Sequence, residues 1–216
     1  MISNRLLKAS AYTKGFNCLA DCGTDHAKLP IFCVKSGLVA KAYASDNKIG
    51  PLENATANIA KAELNGYVIP ILADGLDYLS TEVDIVSILG MGGRLIVSIL
   101  ETADLTAVKR LVLSANSENY LLRDFLEKSQ WKIIAEELIK DRNKYYQLMV
   151  LEKGKMSLTA IEKEFGPLII KAKTKPFMEM IENLVKKLNK ALVQTKTAEA
   201  KETIKTRIKI LEEVIT

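Results

Sequence analysis

From about Asn17 to Val150, short runs rich in Val, Ile and Leu alternate with longer segments whose apolar residues recur at helical spacing. That alternation calls for a parallel sheet wrapped by helices. Residues 17–21, 40–46, 68–72, 84–89 and 110–114 predict five parallel strands. Two more runs, 131–139 and 145–152, are separated only by the polar stretch 140–144. Five residues are too few for a crossover helix, so an antiparallel hairpin is predicted to end the sheet. Helix starts are marked by Gly50-Pro51 and by Ser117-Glu118, the latter ahead of the periodic Tyr120, Leu121, Leu122, Phe125 and Leu126.

Beyond Lys153 the strand pattern stops. A short helical piece over 158–165 ends at Gly166-Pro167, and Pro176 marks a further break. Phe177, Ile181, Leu184, Leu188 and Leu192, then Ile204, Ile208, Leu211 and Ile215, form two narrow apolar stripes separated by the polar residues 194–203. Their alternating spacing of three and four is that of a coiled-coil seam, and two such stripes suit an antiparallel helical hairpin. The organisation expected is therefore an α/β domain over 1–153 and a helical arm over 154–216.

Composition adds exclusions. With 216 residues, 48% hydrophobic and 26% charged, the chain is ordinary for a globular protein. No apolar run approaches the roughly 20 residues of a membrane span, and residues 1–10 lack the apolar core of a secretory signal, so a cytoplasmic location is expected. Three cysteines, Cys18, Cys22 and Cys33, form no disulfide framework, and with His26 as the sole histidine no metal site is expected. Residues 1–150 balance 17 Lys and Arg against 17 Asp and Glu, whereas 151–216 hold 14 against 9, so the whole net charge of +5 sits in the arm. A polyanion would be drawn there, although a Lys-rich helix face is also what simple solvation produces.

Candidate chemistry gathers at strand ends. The first strand runs into Asp21-Cys22-Gly23-Thr24-Asp25-His26, the second ends at Asp46-Asn47, the third at Asp74-Gly75 and the fourth at Gly90-Met91-Gly92-Gly93. Ligands of open α/β sheets bind at such carboxyl ends. Neither a Gly-x-Gly-x-x-Gly fingerprint nor a Gly-x-x-x-x-Gly-Lys-Ser/Thr loop is present, which disfavours pyrophosphate binding. Three aspartates at neighbouring strand ends instead suit a cationic nucleoside: Asp46 can accept two hydrogen bonds from a ribose diol, and Asp21 can face an amine. Each aspartate alone is equally a turn or helix-cap residue. The glycines after the fourth strand leave backbone groups open to a planar ligand, or serve only a tight turn. His26 reads either as a ring near a ligand carboxylate or as an ordinary residue of the following helix's first turn, and Cys22 and Cys33 as packing residues.

Together the runs 20–30, 44–55, 73–76 and 90–93, followed by Asn116-Ser117, Lys144-Tyr145-Tyr146 and Glu164-Phe165-Gly166-Pro167, resemble the bacterial tRNA (adenine-22-N1)-methyltransferases over nearly the full chain. The resemblance implies a Rossmann-like class I methyltransferase domain with a mostly parallel seven-stranded sheet and an antiparallel last strand. It further implies a C-terminal α-helical coiled-coil hairpin, S-adenosyl-L-methionine as cofactor, tRNA as partner and substrate, and neither membrane nor metal; a monomer is expected. Asp21, Gly23, Thr24, His26, Asp46, Asn47, Asp74, Gly75, Gly90 and Met91 are then the cofactor-binding candidates. Asp25 is the catalytic candidate, and Gly92, Gly93, Asn116, Tyr145 and Tyr146 are the substrate-binding ones. Side chains alternate along a strand, so only one of the two tyrosines should face the crevice. Lys28 replaces a Tyr, and Ser114-Ala115-Asn116 a Gln-Pro-Asn, of that family's usual pattern. The competing readings are a methyltransferase acting on another RNA, a protein or a small molecule, and a non-catalytic RNA-binding module.

Overall fold

In the computed structural model, which describes residues 2–141 and 144–216, the chain begins with α1 (Asn4–Ala11), β1 (Cys18–Cys22), α2 (Lys28–Lys35), β2 (Lys41–Asp46), α3 (Ile49–Lys61) and β3 (Val68–Leu72). It continues through β4 (Ile85–Leu89), α4 (Gly93–Thr102), β5 (Arg110–Ser114), α5 (Asn119–Lys128), β6 (Trp131–Asp141) and β7 (Lys144–Lys153). Four helices close it: α6 (Ala160–Phe165), α7 (Pro167–Ala172), α8 (Lys175–Gln194) and α9 (Ala198–Ile215). The strands form one sheet in the order β3-β2-β1-β4-β5-β7-β6, in which β7 alone runs antiparallel to its neighbours.

All seven strands lie where the apolar runs predict them, with ends differing by at most two residues. The hairpin is tighter than its polar stretch suggests, since Lys140 pairs with Tyr145 and Asp141 with Lys144. Arg142 and Asn143 of that predicted turn lie outside the described residues. Helices cover both faces of the central strands, so β1 is buried along its whole length and carries no polar alternation. The sequence of strands in space reverses direction between β1 and β4, which opens a crevice at their carboxyl ends.

Helix α1 was not anticipated from the pattern. Ser3 caps it, its Oγ accepting from the Leu6 N–H at 3.4 Å. Lys8 and Tyr12 at its far end both reach Glu137 of β6, at 2.9 Å each. The helix is thereby pinned across the hairpin end of the sheet, beside the crevice.

The C-terminal helices are tied to the sheet by a buried ion pair. Arg123 of α5 and Glu136 of β6 have fully buried side chains 2.8 Å apart. The same guanidinium donates to Gln147 Oε1 at 2.7 Å and to the Lys163 carbonyl at 3.0 Å, while Glu136 accepts from the Leu168 N–H at 2.9 Å. The pair thus joins α5, β6, β7, α6 and α7. Gly166 passes directly over it with φ +92°, and a Cβ there would meet the Glu136 carboxylate at 2.6 Å, so the Gly166-Pro167 break has a packing cause beyond ending a helix. Helix α6 starts in a capping box between Thr159 and Glu162.

Helices α8 and α9 are joined by only three residues and pack on one another as a hairpin. Phe177 and Ile181 of α8 and Leu211 of α9 are buried in one cluster with Leu138, Phe165 and Ile169. The remaining stripe residues Leu184, Leu188, Leu192, Ile204, Ile208 and Ile215 are half-buried, which leaves the lysines facing solvent.

Removing one partner of a buried, multiply bonded pair strands the other charge, at a cost of about 3–5 kcal/mol. Arg123→Ala is accordingly expected to lower the urea midpoint far more than substitution of the exposed Lys128, followed by circular dichroism.

Candidate active site

The strand ends carry the site. Asp21, at the end of the interior strand β1, is 5% exposed. Its two carboxylate oxygens accept from Ser87 Oγ of β4 at 2.5 Å and from Thr24 Oγ1 at 2.7 Å. Burial pushes its carboxyl up to about 6, against the opposing pull of those two hydroxyls. Immediately after it, the N–H groups of Gly23 and Thr24 both donate to the Ser45 carbonyl of β2 at 2.9 Å. Gly23 has φ +73°, and an added Cβ would lie 2.1 Å from Cε of Met91. Here glycine supplies both the left-handed turn and the close approach of the fourth strand's loop.

Asp25 also adopts a left-handed conformation, φ 52°. Its N–H donates to Asp46 Oδ2 at 3.4 Å, and its own exposed carboxylate lies 3.4 Å from His26 Nε2. His26 sits in the turn before α2 and not in its first turn, with its carbonyl accepting from Asn58 Nδ2 at 3.1 Å. Asp46 Oδ1 accepts from the Lys48 N–H at 3.1 Å, and Asn47 Nδ2 donates to Asp74 Oδ1 at 3.4 Å. Gly75 turns with φ +67° against Ile99.

These residues line two compartments. A cleft of about 980 Å³ is lined by Asp21, Gly23, Thr24, Asp25, His26, Lys28 and Gly90, by residues of α1, and by Asp141, Lys144 and Tyr146 of the hairpin. A smaller one, about 220 Å³, is bounded by Asp46, Asn47, Asp74 and Gly75 and by the apolar Pro51, Met91, Leu95 and Ile99. Gly23 and Asp25 belong to both. The small compartment, acidic at its rim and apolar on its wall, suits a purine nucleoside with a diol. The large one admits a second, bulkier group, and the two meet at Asp25.

The fourth strand's loop divides its duties. Gly90, φ +97°, opens onto the large cleft, and its carbonyl accepts from Asn116 Nδ2. Asn116 also donates its N–H to the Met91 carbonyl at 2.8 Å, so it braces the loop beside the cleft. Gly92 and Gly93 do not line either compartment. Gly93 is the buried first residue of α4, where a Cβ would stand 2.5 Å from the Glu118 carbonyl oxygen; this glycine makes room for the 117–118 turn. Tyr146 lines the large cleft, while Tyr145 packs with the arm cluster beneath Lys140. Of the two tyrosines expected to contact substrate, Tyr146 is the one the structure places at the cleft, and Tyr145 faces away from it. Cys22 and Cys33 are buried and their thiols are pushed up to about 12 by burial, as packing residues should be.

Sequence reasoning missed Ser87, Arg5, Lys144 and Asp141. A serine inside an apolar strand facing an aspartate is a readable signal. Arg5 and Asp141 reach the cleft only through the docking of α1 and the length of the hairpin.

A seven-stranded sheet with β7 reversed, and a nucleoside-sized compartment opening beside a glycine loop after β4, define a Rossmann-like methyltransferase. The chain belongs to the tRNA (adenine(22)-N(1))-methyltransferase family, whose sequence profile matches residues 19–214. The curated tRNA (adenine(22)-N(1))-methyltransferase of Bacillus subtilis (strain 168) is 33% identical over 156 residues, 71% of this chain and 66% of that protein. Streptococcus pneumoniae Sp1610, described as a candidate tRNA (m1A22) methyltransferase and crystallised with S-adenosyl-L-methionine, superposes with a TM-score of 0.92 at 33% identity over 100% of both chains. The M. capricolum enzyme TrmK, in complex with S-adenosyl-homocysteine, gives 0.85 at 29% identity over 100% of this chain and 98% of that one.

Because backbone and not a flexible side chain faces Gly93, Gly93→Ala should displace the 116–118 turn and cost about 1–3 kcal/mol. Thermal unfolding of that variant checks the value, and near-wild-type stability would mean the turn yields freely.

Proposed function

We propose that the protein transfers a methyl group from S-adenosyl-L-methionine to N1 of adenine 22 in tRNA, in the cytoplasm. The observation that carries this is the junction of the two compartments at Gly23 and Asp25, which lets a nucleoside cofactor and a flipped base meet at one carboxylate. Residues 1–153 form the catalytic part in this reading, and the arm, 154–216, serves the substrate through its solvent-facing lysines.

The residues present fit the cofactor. Asp46 has lone pairs left for a ribose diol, since each of its oxygens takes only one N–H. Asn47 and Asp74 flank the apolar wall on which an adenine would lie. Asp21, ionised, would neutralise the cationic amino-acid half, and Gly23 removes the Cβ that would crowd it. When bound, S-adenosyl-L-methionine supplies an electrophilic methyl group on a sulfonium.

Adenine N1 already carries a lone pair, so no covalent intermediate on the protein is required. What the chain must supply is alignment, worth several kcal/mol, and a place for positive charge. Asp25 is the group for the second task. Its carboxylate is exposed to the cleft and can take the N6 proton or stabilise the cation that methylation leaves on the ring. Tyr146 lines the cleft that would receive an unstacked base, and contact with the cleft wall offsets part of the few kcal/mol that flipping costs.

Asp25→Asn should leave cofactor affinity intact and lower kcat about 10²- to 10⁴-fold, the range spanned by positioned acids and bases. Nucleoside mass spectrometry of unmodified tRNA incubated with the variant measures it, and full turnover by a folded variant would remove Asp25 from the mechanism.

The raised Asp21 carboxyl predicts a pH dependence of binding. A cationic ligand requires the ionised form, whose population falls tenfold per pH unit once the pH drops below about 6. Cofactor affinity by calorimetry should therefore fall as the solution is acidified through pH 6, with proton release on binding near that pH. The dependence should flatten in Asp21→Asn, which binds weakly throughout.

A further inference from the structure

The guanidinium of Arg5 lies inside the large cleft, 4.7 Å from the centroid of the Tyr146 ring. On its other side is Gly90: a Cβ built there would be 3.3 Å from Arg5 Nη2 and 3.5 Å from Nη1. The planar cation is thus sandwiched between an aromatic face and the loop that follows β4. Arg5 Nη1 is buried and has no hydrogen-bond partner among the described residues. Asp21, Asp25 and Asp141 line the same cleft, and none of them forms an ion pair with it. A buried, unmet guanidinium N–H is costly, and a native site that keeps one holds it for an incoming acceptor.

We infer that Arg5, with Lys28 and Lys144 at the same cleft, forms a subsite for a phosphodiester of the RNA backbone next to the target nucleotide. The inference rests on the methyl-transfer reading above and adds to it a residue that grips substrate. Three considerations select a phosphate. The acceptor must be an oxygen, because a guanidinium only donates, and its planar edge matches a phosphate bidentately. The base itself is an unsuitable partner at N1, since methylation makes the ring cationic and a neighbouring guanidinium would oppose that charge. Every nucleotide drawn into the cleft brings a phosphate with it, and two lysines, Lys28 and Lys144, line the same cleft. Stacking on Tyr146 fixes the plane of the guanidinium, so the position of the phosphate fixes how far the base reaches toward Asp25.

The cofactor's own carboxylate has the same oxygen chemistry, and the test separates the two sources. Full-length Arg5→Ala and Arg5→Lys are compared with wild type for calorimetric cofactor affinity, for unmodified tRNA binding across salt concentrations, and for KM and kcat. The expected result is an increase of about 10- to 100-fold in tRNA Kd and KM for Arg5→Ala. With it should come a decrease of about one in the slope of log Kd against log salt, and a cofactor Kd within twofold of wild type. Arg5→Lys should restore the salt slope but not the affinity, because an ammonium keeps the charge and loses the planar edge. Cofactor affinity falling tenfold with tRNA binding unchanged would overturn the inference in favour of the cofactor carboxylate. An unchanged salt slope in both variants, with any loss tracking reduced thermal stability, would overturn it in favour of a purely structural role for α1. Wild-type turnover is measured alongside: its absence counts against the methyl-transfer reading, while the change in salt slope still reports on Arg5.

Discussion

A carboxylate held in the interior at the carboxyl end of the central strand governs the arrangement around it. Asp21 is buried, both its oxygens are engaged by hydroxyls, and no cation stands beside it, so its ionised form is less favoured than that of an exposed carboxylate. Ser87 and Thr24 come from the neighbouring strand and from the following turn, so they fix the carboxylate between β1 and β4, at the point where the strand order reverses. The turn that follows has to leave the sheet at once, and Gly23 allows this with positive φ and with Met91 packed where a side chain would otherwise be. In the proposed reading, cofactor charge recognition and chain reversal fall to the same four residues.

How much of this the sequence reveals depends on the range of the interaction responsible. The strands are legible because continuous burial of β4 and β5 favours runs of Val, Ile and Leu, and the aspartates at the strand ends are legible because sheet geometry dictates where ends must gather. Tyr145 and Tyr146 are ambiguous in sequence, since alternation fixes that they face opposite ways but not which way, and only the pairing of Ile139 with Tyr146 decides it. The three glycines after β4 look alike on paper. Gly90 opens to the cleft and Gly93 makes room for the Glu118 carbonyl, a difference set by a turn 25 residues away. Helix α1 carries a readable serine cap, yet its importance comes from docking on β6, a contact across more than 120 residues that no local pattern encodes.

The arm illustrates the same division. Its two apolar stripes announce a helical hairpin, and the hairpin forms. Its attachment, however, uses the fully buried Arg123–Glu136 pair, and charged residues in a sequence read by default as surface. The pair bonds to backbone groups of α6 and α7 as well as to Gln147, so the orientation of the helices is specified by directional bonds and not by apolar contact alone. A sliding apolar interface would tolerate many orientations of the arm relative to the cleft. A buried guanidinium with four fixed acceptors tolerates few, which matters if the arm and the cleft are to engage one tRNA at a fixed separation.

Opposite charges are also sorted within the cleft itself. Methyl transfer to a neutral purine nitrogen moves positive charge from the donor onto the base, so carboxylates belong close to the reacting atoms, the place proposed for Asp21 and Asp25, and cations belong at the periphery, where the backbone is anionic. Arg5 and Lys144 satisfy the second condition if the nucleotide enters with its phosphate toward α1 and its base toward the turn after β1. The reverse orientation would place a phosphate against Asp25 and a developing cation against Arg5, unfavourable at both ends. With Asp25 and Arg5 in the roles proposed for them, electrostatics favours one direction of substrate entry, from the hairpin side of the sheet toward the turn after β1.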